Sequence, residues 1–171
     1  TAQAECKTAR AERSRLLYQR DMSQVDPKQL SDEDKLHCIL TFSALPGASR
    51  HHWGTDIDVY DAHAVAESGK PLALIEDEYV VGGPCYAMHQ WLLNHAELFG
   101  FYFPYAEDTG GIAKEPWHIS HKQSAQQALE ALTLSALQSH IEKLPISGKT
   151  TILKYLDVIY HRYVLNKGID S

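Results

Sequence analysis

Short β-prone segments occupy the middle of this sequence, and helical patterns lie on both sides of them. Residues 55–60, 101–103 and 117–120 are rich in β-branched or aromatic residues, which predicts strands. This order favours an α+β fold over a wound βαβ fold. The chain has 171 residues and is expected to form one domain over 1–171, with 123–171 as a helical C-terminal extension packed on it.

Helical signals are clearest after Ser31. Acidic residues follow it in the pattern of a capping box, and apolar residues then recur at helical spacing as far as Phe42. The helix predicted over 85–99 contains Trp91, which is expected in the core. The other predicted helices are residues 2–22, 123–142 and 148–165.

Composition excludes several classes of function. The net charge of -6 argues against a partner bound through its phosphate backbone, so no nucleic acid is expected. No apolar run reaches the roughly 18 residues of a membrane span. The three cysteines form no CxxC pair, which excludes a zinc ribbon or a thioredoxin-type site. The first residues show no pattern of a secretory signal peptide.

Two segments concentrate the reactive side chains. They read Ser49-Arg50-His51-His52-Trp53-Gly54-Thr55-Asp56-Ile57-Asp58 and Glu115-Pro116-Trp117-His118. A catalytic zinc takes three histidine or carboxylate ligands and keeps one position open for water, while a nearby carboxylate moves the proton. On this chemistry, His51, Asp58 and His118 would be the ligands and Glu115 the base. The helical HExxH motif, the P-loop and the serine-hydrolase elbow are absent from the sequence.

The spacing is compatible with such a site if the backbone turns twice. Asp56 and Asp58 fall on one face of a strand, whereas an uninterrupted strand would place His51 on the other face. A turn between them is therefore required, and Gly54 can supply it. Pro116 forbids an ordinary helix interior between Glu115 and His118, so an extended or irregular backbone is expected there.

These two segments, in this order and spacing, resemble the zinc D-alanyl-D-alanine carboxypeptidases of the VanY type, which form one structural group with lysostaphin-like enzymes and the hedgehog signalling domain. The looser resemblance covers about residues 40–122. It implies a small central antiparallel sheet carrying one Zn²⁺ per chain, and hydrolysis of a peptide bond next to D-alanine in peptidoglycan stem peptides. It also implies His51, Asp58 and His118 as zinc ligands, Glu115 as the catalytic base, and Ser49 near the substrate.

The sequence departs from the family pattern at three places. Asp56 stands where the family usually has a small residue, and His121 where it often has tyrosine. An upstream Arg-Ser/Gln segment that helps to hold the substrate has no accepted equivalent, because Arg13-Ser14 and Gln19 fall in a predicted helix.

The substrate-binding residues are predicted as Ser49, Arg50, Trp117 and His121. Arg50 is the nearest candidate to receive a terminal carboxylate of the substrate, because a carboxylate needs a cationic or hydrogen-bonding partner. Trp117 would form part of the wall of the site. Asp56 would either support a zinc ligand or face solvent.

Three functions remain open at this point. The leading one is a zinc D,D-carboxypeptidase, and the second is an L,D-carboxypeptidase or cell-wall endopeptidase with the same zinc site. The third is a zinc-holding interaction module without turnover, which an intact Glu115 disfavours. Because peptidoglycan stems mature outside the cytoplasm, the expected location is the periplasm or the cell surface.

Overall fold

The structure, a computed structural model, describes residues 17–168 of the chain. Its strands are β1 (Leu17–Tyr18), β2 (Gln24–Val25), β3 (Asp56–Asp58), β4 (Phe101–Tyr102) and β5 (His118–His121). Its α-helices are α1 (Asp32–Phe42), α2 (Ala62–Ser68), α3 (Tyr86–His95), α4 (Lys122–Ala131), α5 (Leu134–Lys143), α6 (Lys149–Lys154) and α7 (Leu156–Ile159). The remaining helical structure consists of short 3-10 helices and a π-helix at Tyr160–Val164.

The predicted α+β class is confirmed, with small antiparallel sheets among helices. The chain divides into two compact units. The first comprises the described residues up to Ser49, Asp108–Ala113 and the described residues from Leu132 on, and the second comprises Arg50–Glu107 and Lys114–Ala131. Helix α4 thus groups with the second unit. The single domain with an extension over 123–171 stays a prediction.

The second unit is built on a three-stranded antiparallel sheet in the order β3-β5-β4. Its register pairs Asp58 with His118 and Asp56 with Ser120. Because cross-strand partners and alternate residues share a face, these four side chains lie together on one face of the sheet. The buried apolar residues of this unit are Tyr79, Cys85, Ala96, Tyr105, Ile119 and Ala125.

The first unit combines the β1-β2 hairpin with helices α1, α5, α6 and α7. The Ser31 hydroxyl accepts a hydrogen bond from the Asp34 amide at 3.1 Å, which confirms the predicted start of α1. The buried apolar residues of this unit are Leu36, Leu40, Leu45, Ala48, Ile112, Leu137, Ile141, Ile152, Leu156, Ile159, Tyr163 and Val164.

Two predicted helices were wrong in part. Residues 17–22 form β1 and a turn, because the Asp21 carboxylate accepts a hydrogen bond from the Ser23 amide at 2.9 Å and so favours the turn over a helix. The rest of the 2–22 prediction, with Arg13-Ser14, lies outside the described residues. The 123–142 helix is broken into α4 and α5, because Thr133 caps α5 by accepting from the Ala136 amide at 3.2 Å.

Two further differences concern the second unit. Trp91 is not a core residue: it is 51% exposed, and its ring stacks on that of His95 with the centroids 4.6 Å apart. Helix α2 was not predicted at all. It begins at the cap of Asp61, whose carboxylate accepts from the Ala64 amide, and ends at Gly69. Within residues 17–168, no helix has the length and apolar character to cross a bilayer.

Candidate metal centre

Three predicted ligands meet on the face of the β3-β5 pair that carries Asp58 and His118. His51 Nε2 lies 3.5 Å from Asp58 Oδ1, and His118 Nδ1 lies 3.4 Å from the same oxygen. One ligand atom from each of the three residues falls within 4.8 Å of the others. The structure therefore brings together, from two distant segments, the set that the sequence predicted.

The loop before β3 places His51 over that face. His51 lies in a 3-10 turn, Arg50–Trp53, and the chain then reverses at Gly54, whose φ is +72°. The Gly54 amide donates to the His51 carbonyl at 3.3 Å and closes this turn. The predicted turn between His51 and Asp58 is thus present, at the residue that adopts a left-handed backbone most readily.

Glu115 reaches the same place through a turn that starts at its own carbonyl. The His118 amide donates to the Glu115 carbonyl at 3.2 Å, with Pro116 at the second position of the turn, where proline is favoured. The backbone is therefore non-helical, and of the two predicted forms, extended or irregular, it takes the irregular one, a turn. As a result Glu115 Oε2 lies 3.2 Å from His118 Nδ1.

Asp56 contacts both histidines. Its carboxylate Oδ1 accepts a hydrogen bond from His118 Nε2 at 2.8 Å, and its backbone carbonyl accepts one from His51 Nδ1 at 3.2 Å. Because a carboxylate and a carbonyl only accept, each contact places the proton on that ring nitrogen. The other nitrogen of each ring, His118 Nδ1 and His51 Nε2, faces Asp58 Oδ1 and is the one available to a metal.

A buried network fixes Asp56 in turn. Arg50 Nε donates to Asp56 Oδ1 at 2.7 Å, while the hydroxyls of Thr55 and Ser120 donate to Oδ2 at 2.6 and 2.9 Å. Arg50 Nη2 also donates to Ser120 Oγ at 2.9 Å and to the Tyr102 hydroxyl at 2.8 Å. Burial opposes the charge of Asp56, but the hydrogen bonds from His118, Thr55 and Arg50 outweigh it and lower its pKa.

The charges around His118 favour a cation. Burial alone would lower the pKa of His118, but the carboxylates of Asp56, Asp58 and Glu115 outweigh it and raise that pKa to about 10. The ring is 3% exposed, so these charges act on it with little screening by water. A positive ion at this position, whether a proton or a metal, is therefore strongly stabilised.

The donor set fits a tetrahedral metal. Ligand atoms bonded to zinc at about 2.0–2.2 Å lie about 3.3–3.6 Å apart in a tetrahedron, which matches the separations of 3.4 and 3.5 Å that involve Asp58. The two histidine nitrogens lie within the wider limit of 4.8 Å from each other. His118 Nδ1 is buried, and the nearby oxygens of Glu115 and Asp58, at 3.2 and 3.4 Å, do not meet it in hydrogen-bond geometry. A buried polar atom without a well-formed hydrogen bond is costly, and a metal bond would remove that cost.

The residues predicted to bind substrate differ in their surroundings. Trp117 is half-buried, and its ring centroid lies 5.7 Å from that of Tyr79. His121 follows His118 by three residues, so it lies on the opposite face of β5, where its ring packs on Phe101. Ser49 is buried. Arg50 is 7% exposed and held in the network described above, which favours a supporting role. For all four, the contact with substrate stays a prediction.

Three residues that contact the site were not predicted to belong to it from the sequence. Ser120 and Tyr102 complete the hydrogen bonds of Arg50, and the ring of Tyr105 packs edge-on against His118 with the centroids 4.9 Å apart. The sequence carried one usable signal, the two-residue spacing of Ser120 from His118 on a predicted strand. Tyr102 and Tyr105 fall within the looser family resemblance, but their place at the site could not be predicted, because the pairing of β4 with β5 is not encoded locally.

Comparison with known proteins gives two matches of interest. A family model described as D-alanyl-D-alanine carboxypeptidase (VanY) matches residues 10–124. An uncharacterized protein of Haemophilus influenzae (strain ATCC 51907 / DSM 11121 / KW20 / Rd) is 28% identical over 127 residues, which make up 73% of this chain and 96% of that protein. No solved structure is significantly similar to the chain.

Proposed function

Because the chain belongs to the VanY family of D-alanyl-D-alanine carboxypeptidases, we propose that it is a zinc-dependent D,D-carboxypeptidase. Its substrate would be a peptidoglycan stem peptide that ends in D-alanine, and it would release the terminal D-alanine. Such a substrate lies in the periplasm or at the cell surface. The proposal includes the fold of the family, a small antiparallel sheet that carries the metal, as in the hedgehog group.

The observation that carries the proposal is the geometry of four side chains. His51, Asp58 and His118 present ligand atoms within 4.8 Å of one another, and Glu115 lies 3.2 Å from His118 without being needed as a ligand. Three ligands with an adjacent free carboxylate are the requirement of a hydrolytic zinc site, whereas a structural zinc site closes all four positions with protein ligands.

In this proposal His51, Asp58 and His118 hold the ion, which supplies Lewis acidity toward a water molecule and the scissile carbonyl. Glu115 accepts the proton of the attacking water and passes it to the nitrogen of the leaving D-alanine. Its carboxylate is 20% exposed, so it can meet both water and substrate. Trp117, Ser49 and His121 remain proposed substrate contacts, whereas Arg50, which is buried and bound to Asp56, would support the site rather than receive the terminal carboxylate.

A defined peptide tests the proposal. The zinc-loaded protein is incubated with a synthetic stem pentapeptide ending in D-Ala-D-Ala, and the products are weighed by mass spectrometry. We expect loss of one alanine residue from the peptide, and no loss after zinc has been removed with a chelator. The chelated sample should recover its activity when zinc is returned, which shows that it was not damaged.

Other products would identify the other functions. Trimming of a tetrapeptide would indicate an L,D-carboxypeptidase, and cleavage of a cross-linked dimer would indicate an endopeptidase. A protein that binds one equivalent of zinc but converts none of these peptides would contradict the enzymatic proposal and favour a zinc-holding interaction module.

A further inference from the structure

Asp56 lies where one residue can orient both histidines of the candidate metal centre. Its side chain accepts from His118 Nε2 at 2.8 Å, and its backbone carbonyl accepts from His51 Nδ1 at 3.2 Å. The two contacts leave opposite ring nitrogens for the metal: Nδ1 of His118 and Nε2 of His51. Protein groups that hold the second nitrogen of a metal-binding histidine fix its tautomer and its orientation.

The carboxylate itself has no freedom to turn away. The Asp56 side chain is fully buried, and it accepts from Arg50, Thr55 and Ser120 in addition to His118. Asp56 pairs with Ser120 across the β3-β5 ladder, so the backbone register also fixes its position. Its location, next to but not among the three ligands, is therefore set by both strands.

We propose that Asp56 is the positioning residue of the metal centre: it holds His118 with Nε2 protonated, so that Nδ1 binds the ion, and Arg50 keeps Asp56 in place. This inference rests on the zinc site of the proposed function. Arg50 is then a structural brace within the protein. It stacks on Trp53, with its guanidinium carbon 4.8 Å from the ring centroid, which limits its reach toward a ligand.

Two variants and one matched control test the inference by zinc affinity, measured in competition with a chelator. Asp56→Ala removes the acceptor of His118 but leaves the backbone carbonyl that holds His51. We expect the zinc Kd of this variant to rise by about 10–100-fold. Asp56→Asn keeps an acceptor oxygen and should recover part of the affinity. Asp77→Ala removes an exposed carboxylate of the same unit and should leave the Kd unchanged.

The tautomers supply a readout that a loss of packing would not produce. Nitrogen NMR of the zinc-loaded wild-type protein, labelled in its histidines, should show His118 protonated at Nε2 and bound through Nδ1, and His51 the reverse. In Asp56→Ala, the His118 signal should lose this pattern while His51 keeps it. If Asp56→Ala does not fold, Asp56→Asn and the wild-type spectrum decide the question.

The failures can be told apart. Equal zinc affinity in wild type and in the folded Asp56 variants would overturn the inference alone, as would a wild-type spectrum with His118 bound through Nε2. A wild-type protein that binds no zinc would overturn the proposed function and the inference together.

Discussion

Two carboxylates that are two positions apart in β3 have different tasks. The Asp56 side chain is fully buried and saturated with donors, whereas the Asp58 side chain is 32% exposed and faces both histidines. They share a face of the strand, so the difference comes from their surroundings: Arg50 lies against Asp56, whereas Asp58 is partly exposed to solvent. Asp56 is held by the protein, and Asp58 is placed to contact a ligand.

Replacement of Glu115 by Gln separates metal binding from proton transfer. Gln has the same shape but cannot take a proton from water, so we expect kcat to fall by about 100- to 10,000-fold. Zinc should still bind with one equivalent per chain, because the three ligands are untouched. Turnover of the stem pentapeptide and zinc content by atomic absorption are the two measurements.

The control for this variant is Glu97→Gln, which alters an exposed carboxylate of the same unit. It should keep wild-type turnover and zinc content. If Glu115→Gln retained near-normal turnover, another group would have to be the base. If it lost zinc as well, Glu115 would be a ligand of the ion.

At the scale of strands and helices, sequence patterns predicted where the elements lie in the chain better than which strands pair and in what register. The three strands of the β3-β5-β4 sheet, helix α1 and the turn at Gly54 follow from local residue types, and all are present. The pairing of Asp58 with His118 could not be predicted from spacing, because register depends on contacts between distant segments. The four residues of the proposed reaction were identified through a family pattern. For Asp56 the sequence left two roles open, and the pairing of β3 with β5 was needed to choose between them.

The cost of replacing Gly54 should depend on how readily the new residue adopts the left-handed backbone conformation. A Cβ at this position would meet no atom of residues 17–168 within 4 Å, so backbone strain at φ +72° decides the cost. We expect Gly54→Ala to lower the free energy of unfolding by about 1–2 kcal/mol, and Gly54→Asn by less, because Asn adopts this conformation more readily. Urea denaturation measures both. Equal costs for Ala and Asn would contradict this explanation.

Helix α1 contains a histidine whose charge opposes folding. His37 Nδ1 lies 2.9 Å from the Tyr163 hydroxyl, and burial, with a smaller effect from Arg162, lowers the pKa of His37 below its ordinary value of 6.5. Above that value the ring is neutral in both the folded and the unfolded chain. Below it the unfolded chain binds the proton more readily, so this group reduces the free energy of unfolding as the pH falls from about 7 to about 5.

A variant isolates this effect from other titrating groups. His37→Gln cannot gain the charge, so its stability relative to wild type should improve between pH 7.5 and pH 5.5 in urea titrations. Tyr163→Phe keeps the histidine and should show the wild-type trend with pH. A constant difference between wild type and His37→Gln at the two pH values would contradict the assignment.

At the scale of the whole molecule, the site belongs to one of the two compact units. His51, Asp58, Glu115 and His118 all lie in the second unit, which is made of two separate stretches, Arg50–Glu107 and Lys114–Ala131. A bound ion would therefore join two distant parts of the chain inside a single unit. The first unit, with helices α1, α5, α6 and α7, contributes none of these four residues.

Zinc should stabilise the folded protein by mass action. At a free zinc concentration of about 100 times the Kd, the free energy of unfolding should rise by about 2.7 kcal/mol. Hydrogen exchange should slow in the second unit, where the ligands lie. In His118→Asn, zinc should neither raise the free energy of unfolding nor slow hydrogen exchange. The control is His63→Asn: the His63 side chain is 83% exposed, and zinc should stabilise this variant as it does the wild type. Equal stabilisation of His118→Asn by zinc would contradict the ligand set.

The ladder between β3 and β5 has a consequence for protein engineering. Backbone pairing between β3 and β5 sets the distance between Asp58 and His118. The length and sequence of the stretch that joins the two strands, residues 59–117, therefore do not determine that distance. Segments in that stretch, such as α2 and the loop after it, are therefore candidates for exchange with unrelated sequences, with the paired residues of β3 and β5 left in register.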